Sequence, residues 1–276
     1  MWGQPVREIG LEYLSVFGLP AVDYVDLAVG LGCDFVSLNL NGAANRLARY
    51  PAEDLRDRAV RRRVTARVRE RGQRIVLMEG FSIIPQREAA ALAADLDLAA
   101  EYGAATICVV SLDRDLGRTH AGFAIVAEMC AARGLLATTE VGAGAIRDFA
   151  RGRAAVEAVA HPAFKLLLDT MHYFRKGATV ADLAALDPHH IGHVQLCDVP
   201  MPAHTADYLE EALYERRNPG DGDLPLRDFL AAVPPDVPIG IEVPIRSQLE
   251  AGIGPHPRLA RSLAKARELI AGLGDA

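Results

Sequence analysis

The feature that most restricts how this chain can fold is an eightfold alternation of short apolar runs and longer helical segments. The runs are continuously apolar, which is typical of strands buried on both faces of a parallel sheet. The predicted strands are within Arg7–Val16, Asp34–Leu40, Arg74–Met78, Ala105–Val110, Leu135–Thr139, Phe164–Leu168, His193–Leu196 and Pro238–Ile241. Parallel strands that alternate with helices predict an α/β architecture.

Helical segments separate the predicted strands. They are predicted near Ala21–Gly30, Asp54–Arg71, Arg87–Tyr102, Thr119–Arg133, Ala145–Val159, just after Met171, in the 205–231 region and at Pro257–Ile270. Eight strand and helix units without a linker or low-complexity stretch predict one domain over residues 1–276, a single (β/α)8 TIM barrel. An open doubly wound sheet is the alternative. Its dinucleotide fingerprint is incomplete, because the stretch Val141–Gly144 lacks the third glycine.

Four polar side chains lie at or near the carboxyl ends of separate predicted strands. They are Glu140, Asp169, Gln195 and Glu242, with gaps of 29, 26 and 47 residues. Three carboxylates at one barrel mouth would repel one another unless a cation lay between them. Oxygen ligands suit one hard divalent ion, so we expect Mn²⁺, with Mg²⁺ or Co²⁺ as alternatives, in preference to Zn²⁺. The competing interpretation is that each residue only caps a helix or lies in a loop.

The overall charge and composition limit the partners. Half of the 276 residues are hydrophobic and the net charge is −6, which favours a small-molecule substrate over nucleic acid or an anionic membrane. Nine arginines between Arg56 and Arg74 could suggest a nucleic-acid patch. Valines at four-residue spacing among them instead favour an amphipathic outer helix with solvated faces.

The N-terminal stretch and the cysteines predict a cytoplasmic protein. The stretch Met1–Gly10 lacks the features of a secretory leader, and no window of about 20 apolar residues predicts a membrane span. The four cysteines form no CxxC pair and are expected to be buried free thiols.

Several motifs in the carboxyl-terminal half resemble one family. They are Glu140, Asp169-Thr170-Met171-His172, Gly192–Asp198, Arg216 with Pro219-Gly220-Asp221-Gly222, and Gly240-Ile241-Glu242. The chain resembles the xylose-isomerase-like TIM-barrel superfamily, the sugar phosphate isomerase/epimerase group that includes inosose dehydratases, ketose 3-epimerases and 3-dehydroshikimate dehydratases. The resemblance implies metal ligands at Glu140, Asp169, Gln195 and Glu242. The sequence departs from the commoner pattern, since Gln195 stands where histidine is usual, as the dehydroshikimate dehydratase branch also looks to have.

The expected chemistry is proton transfer next to a metal-bound carbonyl. A chelated divalent ion acidifies the neighbouring C–H, so a carboxylate can remove its proton. The resemblance implies Glu140 and Glu242 as catalytic acid/base residues on opposite sides of the substrate, acting through an enediolate. We expect His172, Arg216, His193 and Glu79 to contact or support the substrate. Asn39 and Glu12 are weaker candidates for lining the pocket, because only their position at strand ends supports them.

Isomerisation or epimerisation of a sugar-like hydroxy-ketone is the first expectation, and dehydration of the 3-dehydroshikimate or inosose type is the alternative. The substrate is a polyhydroxylated compound or a keto acid, and its identity depends on loops such as 39–50 and 80–87. Family members often form dimers or tetramers, so a homo-oligomer is possible.

Other function classes fit the residues less well. A Schiff-base aldolase needs a lysine at the mouth, and Lys165 is at the wrong end of its strand. An enzyme of the endonuclease IV type needs more histidines, and an acidic chain is a poor DNA partner. A non-catalytic binding barrel stays open, and a mouth filled with apolar side chains would select it.

Overall fold

Eight parallel strands close into a barrel in the computed structural model, which describes residues 7–47 and 49–275. The strands are β1 Ile9–Leu11, β2 Val36–Asn39, β3 Ile75–Ile83, β4 Thr106–Ser111, β5 Leu136–Glu140, β6 Phe164–Asp169, β7 Ile191–Leu196 and β8 Ile239–Ile241. Each strand pairs with its neighbours in chain order, and β1 also pairs with β8. The closed order confirms the (β/α)8 barrel and excludes the open doubly wound sheet.

Helices connect the strands and cover the barrel. They are α1 Ala21–Gly30, α2 Arg58–Glu70, α3 Ala93–Tyr102, α4 Leu116–Ala131, α5 Phe149–Val159, α6 Thr170–Arg175, α7 Val180–Ala184, α8 Tyr208–Tyr214, α9 Leu226–Ala232, α10 Arg246–Glu250 and α11 Pro255–Ala271. Short 3-10 turns lie at Tyr13–Val16, Ala89–Leu92, Pro188–His190 and Gly272–Asp275. Most predicted helices are present, but α5 begins four residues later than predicted, where the Asp148 side chain accepts the backbone N–H of Arg151.

The core lies mostly between the strands and the helices. Outward-facing apolar side chains of the strands pack against the helices in one continuous cluster, while Leu77, Cys108 and Leu167 form a small cluster of their own. All four cysteines are free and buried, as predicted. One domain over residues 1–276 stays a prediction, and the first six residues of the stretch Met1–Gly10 are outside the described residues.

The arginine-rich segment forms the outer helix α2. Val64 and Val68 are buried there, while arginines of the segment pair with acids of neighbouring elements, as Arg61 does with Glu101 at 2.7 Å. This arrangement agrees with an amphipathic helix whose charged faces are solvated. Among the described residues, no helix combines the length and the apolar character needed to cross a bilayer.

Candidate metal and substrate site

The four predicted metal ligands come together at the carboxyl ends of β5 to β8. Glu140 and Asp169 are the last residues of their strands, Gln195 lies within β7, and Glu242 directly follows β8. Strand pairing sets Asp169 beside Gln195 and Gln195 beside Gly240. Alternation along each strand therefore turns the four side chains into the barrel at a similar level.

A cavity of about 370 Å³ opens over these side chains. Glu140, Gln195 and Glu242 line it, whereas Asp169 is fully buried beside it. Its other lining residues include the polar Asn39, Glu79, His172, Tyr208 and Arg216 and the apolar Leu14, Leu209 and Leu213. The mouth of the barrel is thus a pocket lined by both acidic and apolar side chains, and apolar side chains of the described residues do not fill it.

Arg216 joins two of the acids. Its Nη1 forms ion pairs with Asp169 and with Glu242, the latter at 2.8 Å, and its Nε donates to the carbonyl of Ala212 at 2.8 Å. The arginine is 2% exposed. Burial opposes the charged guanidinium, but the two acids outweigh that effect and raise the pKa of Arg216. Arg216 is therefore a fixed positive charge in the pocket wall.

Asp198, just after β7, holds the segment that carries Arg216. Its backbone exchanges hydrogen bonds with Arg217, at 2.8 and 3.0 Å. Its carboxyl group accepts the backbone N–H groups of Val199, Gly220 and Leu224 at 2.9 to 3.0 Å. Gly222 leaves room for this carboxyl group, because a Cβ at that position would overlap it. The Pro-Gly-Asp-Gly turn thus anchors the loop that delivers the arginine.

Glu140 belongs to a second hydrogen-bonded group. Its Oε1 lies 3.3 Å from His172 Nε2, and His172 Nδ1 is hydrogen-bonded to the hydroxyl of Tyr208 on α8. Asp169 accepts the backbone N–H of His172 at 2.8 Å and so caps α6, which fixes the histidine beside the pocket. Sequence reasoning missed Tyr208, because a tyrosine in a short amphipathic helix has no distinctive pattern.

Burial shifts the pKa values of these groups in different directions. Burial, Asp169 and Glu79 raise the pKa of Glu140 to about 8, and burial raises that of Glu242 well above its usual range. Burial acts on Asp169 in the same way, but the Arg216 guanidinium reverses the effect and holds its pKa below normal. Burial lowers the pKa of His172 to about 4, so its imidazole is neutral at pH 7.

A further polar group lies on the other side of the pocket. Glu12 and His193 are both fully buried, and Glu12 Oε1 lies 2.7 Å from His193 Nε2. The other side-chain polar atom of each residue, Glu12 Oε2 and His193 Nδ1, has no hydrogen-bond partner among the described residues. His193, which we expected to contact or support the substrate, does not line the cavity. Glu79 does line it and accepts a hydrogen bond from the Gln195 side chain at 3.3 Å.

The donor chemistry fits a hard divalent cation. Five carboxyl groups converge here, those of Glu12, Glu79, Glu140, Asp169 and Glu242, and Arg216 is the one arginine or lysine among the described residues that line the cavity. Ligand atoms lie within 4.8 Å of one another in two groups, Glu140 with Asp169 and His172, and Glu12 with Glu79 and Glu242. Because Arg216 Nη1 already contacts Asp169 and Glu242, a cation shared by all four predicted ligands competes with it for these two carboxylates.

A closed eight-stranded barrel with a candidate metal site at its mouth defines the class of this protein. The sequence profile of the xylose isomerase-like TIM barrel family matches residues 25–269, and the chain belongs to that family. No curated protein sequence matches the chain.

Solved structures of similar fold include enzymes and a zinc-binding protein. The IolI protein, solved with a bound zinc atom, is 13% identical with a TM-score of 0.75 over 96% of this chain and 97% of its own. D-allulose 3-epimerase from Methylomonas sp. is 16% identical with a TM-score of 0.69 over 98% of this chain and 100% of its own. AsbF of Bacillus anthracis, a probable 3-DHS dehydratase, is 17% identical with a TM-score of 0.56 over 75% and 77%. At these identities the likeness concerns the fold alone.

A xylose isomerase-like TIM barrel/4-hydroxyphenylpyruvate dioxygenase fusion protein is also similar, at 21% identity and a TM-score of 0.70 over 86% of this chain. This chain spans only 39% of that protein's length.

Proposed function

We propose that this protein is a divalent-metal-dependent isomerase or epimerase of an uncharged polyhydroxylated ketone. The observation that carries the proposal is the placement of two acids with raised pKa values in one cavity, the partly exposed Glu140 and the buried Glu242. A carboxyl group whose pKa is raised toward the working pH, to about 8 for Glu140, is suited to removing and returning protons. Similarity of fold to D-allulose 3-epimerase supports the same class of reaction.

The two acids approach the cavity from different parts of the barrel. Glu140 ends β5 and Glu242 follows β8, and two strands separate β5 from β8. They also have separate partners, since Glu140 contacts His172 whereas Glu242 contacts Gln195 and Arg216. One acid can therefore remove a proton from the carbon next to the carbonyl while the other returns a proton from another side, which is what epimerisation requires.

The charges in the pocket favour an uncharged substrate over a keto acid. Among the described lining residues, Arg216 is the one arginine or lysine, and Asp169 and Glu242 already neutralise it. Apart from the proposed metal ion, a carboxylate or phosphate entering the cavity would meet acidic oxygens and, among the described residues, no lysine or arginine without acidic partners, which is unfavourable in a buried site. Hydroxyl groups, in contrast, can donate to these acids. This supports the polyhydroxylated alternative.

The ligand set of the proposed cation is Glu140, Asp169, Gln195 and Glu242. A divalent cation at this position supplies Lewis acidity that polarises a substrate carbonyl. The protein side chains do the rest: Glu140 exchanges protons with His172 through Oε1 and Nε2, and His172 in turn faces the Tyr208 hydroxyl. Neutral His172 can pass a proton between these two partners, because an imidazole can accept on one nitrogen while it donates from the other.

Dehydration is a second candidate, because the same proton path could serve a leaving group. His172 and Tyr208 lie behind Glu140 in one hydrogen-bonded series, which gives a route for a proton to reach a departing β-hydroxyl group. AsbF, the probable 3-DHS dehydratase, has a similar fold. The charge argument favours an uncharged inosose-type substrate for this reaction over 3-dehydroshikimate.

The test is metal analysis of the purified protein, followed by a screen of ketoses, inososes and 3-dehydroshikimate in D₂O. Deuterium incorporation at carbon without loss of water supports isomerisation or epimerisation, and a new conjugated chromophore supports dehydration. Turnover of 3-dehydroshikimate but not of any uncharged ketone would contradict the charge argument.

The Glu242→Gln variant tests the catalytic assignment. It should abolish turnover while leaving the fold intact, and Glu128→Gln, on the exposed face of α4, is the matched control that should retain it. Undiminished turnover in Glu242→Gln would remove Glu242 from the mechanism. Cytoplasmic location and a homo-oligomeric state stay predictions, the latter to be checked by light scattering.

A further inference from the structure

The alternation of inward-facing and outward-facing side chains along strand β3 is interrupted where the strand reaches the mouth of the barrel. Leu77 and Glu79 face inward by simple alternation, but the pairing with β4 shifts between Met78 and Phe81. Gly80 supplies the positive φ of 98° at this irregularity. The bulge lets Glu79 face the pocket while Phe81, two residues further on, packs in the main core.

The side chain of Glu79 meets the amide of Gln195 across the barrel. Gln195 Nε2 lies 3.3 Å from Glu79 Oε1 and 3.1 Å from Glu242 Oε1. Each of these acidic oxygens can accept a hydrogen bond from the amide. When Glu79 and Glu242 are ionised, a flipped amide would set its own oxygen against two carboxylate oxygens, which is unfavourable. The contacts therefore select one of the two amide orientations.

The selected orientation turns the amide oxygen away from both acids. Gln195 lines the cavity, and no described residue donates a hydrogen bond to its Oε1. Fully buried polar atoms without a partner do occur in this protein, but this oxygen is not one of them, so it is accessible from the cavity. An amide oxygen that reaches the cavity, without a protein donor, is available to a cation or a substrate hydroxyl group.

We infer that Glu79 is a positioning residue that fixes the Gln195 amide with its oxygen toward the metal position. The inference rests on the proposed function, because Gln195 matters in this way only if a cation binds. A primary amide has a donor side and an acceptor side of nearly equal shape, so as a ligand it needs a neighbour that distinguishes them. Hydrogen-bonded partners of this kind commonly orient metal ligands.

Glu79 suits this role better than Glu242. Glu242 is itself a proposed ligand, and it also pairs with Arg216 at 2.8 Å, so its oxygens have competing partners. Glu79 forms no ion pair among the described residues, and Gln195 is its side-chain hydrogen-bond partner. Glu79 can therefore keep its contact with the amide while Glu242 turns to a cation.

The experiment measures Mn²⁺ binding to metal-stripped protein by isothermal titration calorimetry, without any substrate. Glu79→Met removes the acceptor at similar length, and it should weaken Mn²⁺ binding by roughly 10- to 100-fold. Glu79→Gln removes the charge but keeps an acceptor oxygen, and its loss should be at least about threefold smaller. Equal losses in the two variants would show that charge, and not orientation, is what Glu79 contributes, and would overturn the inference.

A double-mutant comparison provides a second arm that does not depend on Glu79→Met folding. In a Gln195→Met background there is no amide to orient, so adding Glu79→Gln should weaken Mn²⁺ binding less than it does in the wild type. An equal loss in both backgrounds would contradict positioning. Thermal unfolding of the metal-free variants shows whether each one is folded. A wild-type protein that binds no Mn²⁺ would overturn the proposed function itself, whereas unaltered binding in Glu79→Met would overturn only the role of Glu79.

Discussion

Metal binding should become tighter as pH rises from 6 to 8, because Glu140 must lose a proton before it can serve as a ligand. Its pKa is raised to about 8 by burial and by Asp169 and Glu79. With that pKa, roughly one tenth of Glu140 is ionised at pH 7 and roughly one hundredth at pH 6. The dissociation constant of Mn²⁺ should therefore fall about tenfold, or about 1.4 kcal/mol, between pH 6 and pH 7 and about fivefold between pH 7 and pH 8.

The sign follows from the linkage between proton and metal binding. A carboxyl group with a raised pKa holds a proton in the metal-free state, and a cation expels it, so lower pH favours the metal-free protein. A carboxylate at the usual pKa of 4.5 would be ionised throughout this range and would give no pH dependence. If Glu242, whose pKa is also raised, ionises on binding as well, the dependence becomes steeper.

Calorimetry at pH 6, 7 and 8, in two buffers of different ionisation enthalpy, measures both the affinity and the number of protons released. At pH 7 we expect about one proton to leave Glu140 per Mn²⁺ bound. Glu140→Gln is the control: it should bind Mn²⁺ more weakly and release about one proton fewer. An affinity that stays constant from pH 6 to 8 in the wild type would refute the assignment of Glu140 as a ligand that is protonated in the metal-free protein.

Three substitutions test other parts of the site. Arg216→Met leaves Asp169 and Glu242 buried without their cation, so urea denaturation of the metal-free protein should show a loss of about 3 to 5 kcal/mol; a loss below about 1 kcal/mol would be inconsistent with the observed ion pairs. Tyr208→Phe removes the hydroxyl behind His172 and should lower kcat by up to roughly 10²-fold at unchanged thermal stability, and an unchanged kcat would argue against the proton path. Gly240→Ala would set a Cβ against Glu12 Oε1 and should cost about 1 to 3 kcal/mol in the same urea assay; a neutral effect would mean that Glu12 moves aside freely.

The barrel and the ligand strands were predictable because both depend on local patterns. A continuous apolar run followed by a polar residue marks a buried parallel strand and the point where it ends at the mouth of the barrel. Asp169 after Phe164–Leu168 and Glu242 after Pro238–Ile241 both follow this rule, and the structure sets them at one mouth. For residues at or directly after a strand end, the order of the strands is enough to predict that their side chains meet at the mouth of the barrel.

The remaining parts of the site depend on contacts that no local pattern records. We predicted that β3 would end at Met78, but it continues to Ile83 through an irregularity at Gly80, and a bulge has no apolar periodicity of its own. The partners of Arg216 were likewise unpredictable, since 47 residues separate it from Asp169 and the Pro-Gly-Asp-Gly turn determines where its side chain lies. The Glu12–His193 contact joins positions 181 residues apart.

The helix α8 connects the outer side of the pocket to its charged wall. Tyr208 at its start reaches His172, the carbonyl of Ala212 in its middle holds the Nε of Arg216, and the carbonyl of Leu213 accepts the Asn45 side chain at 2.8 Å. Leu209 of the same helix, 63% exposed, stands at the cavity entrance. The tyrosine, the arginine and the loop after β2 are therefore all attached to one seven-residue helix beside the cavity entrance, so a change in this helix would reach three parts of the site at once.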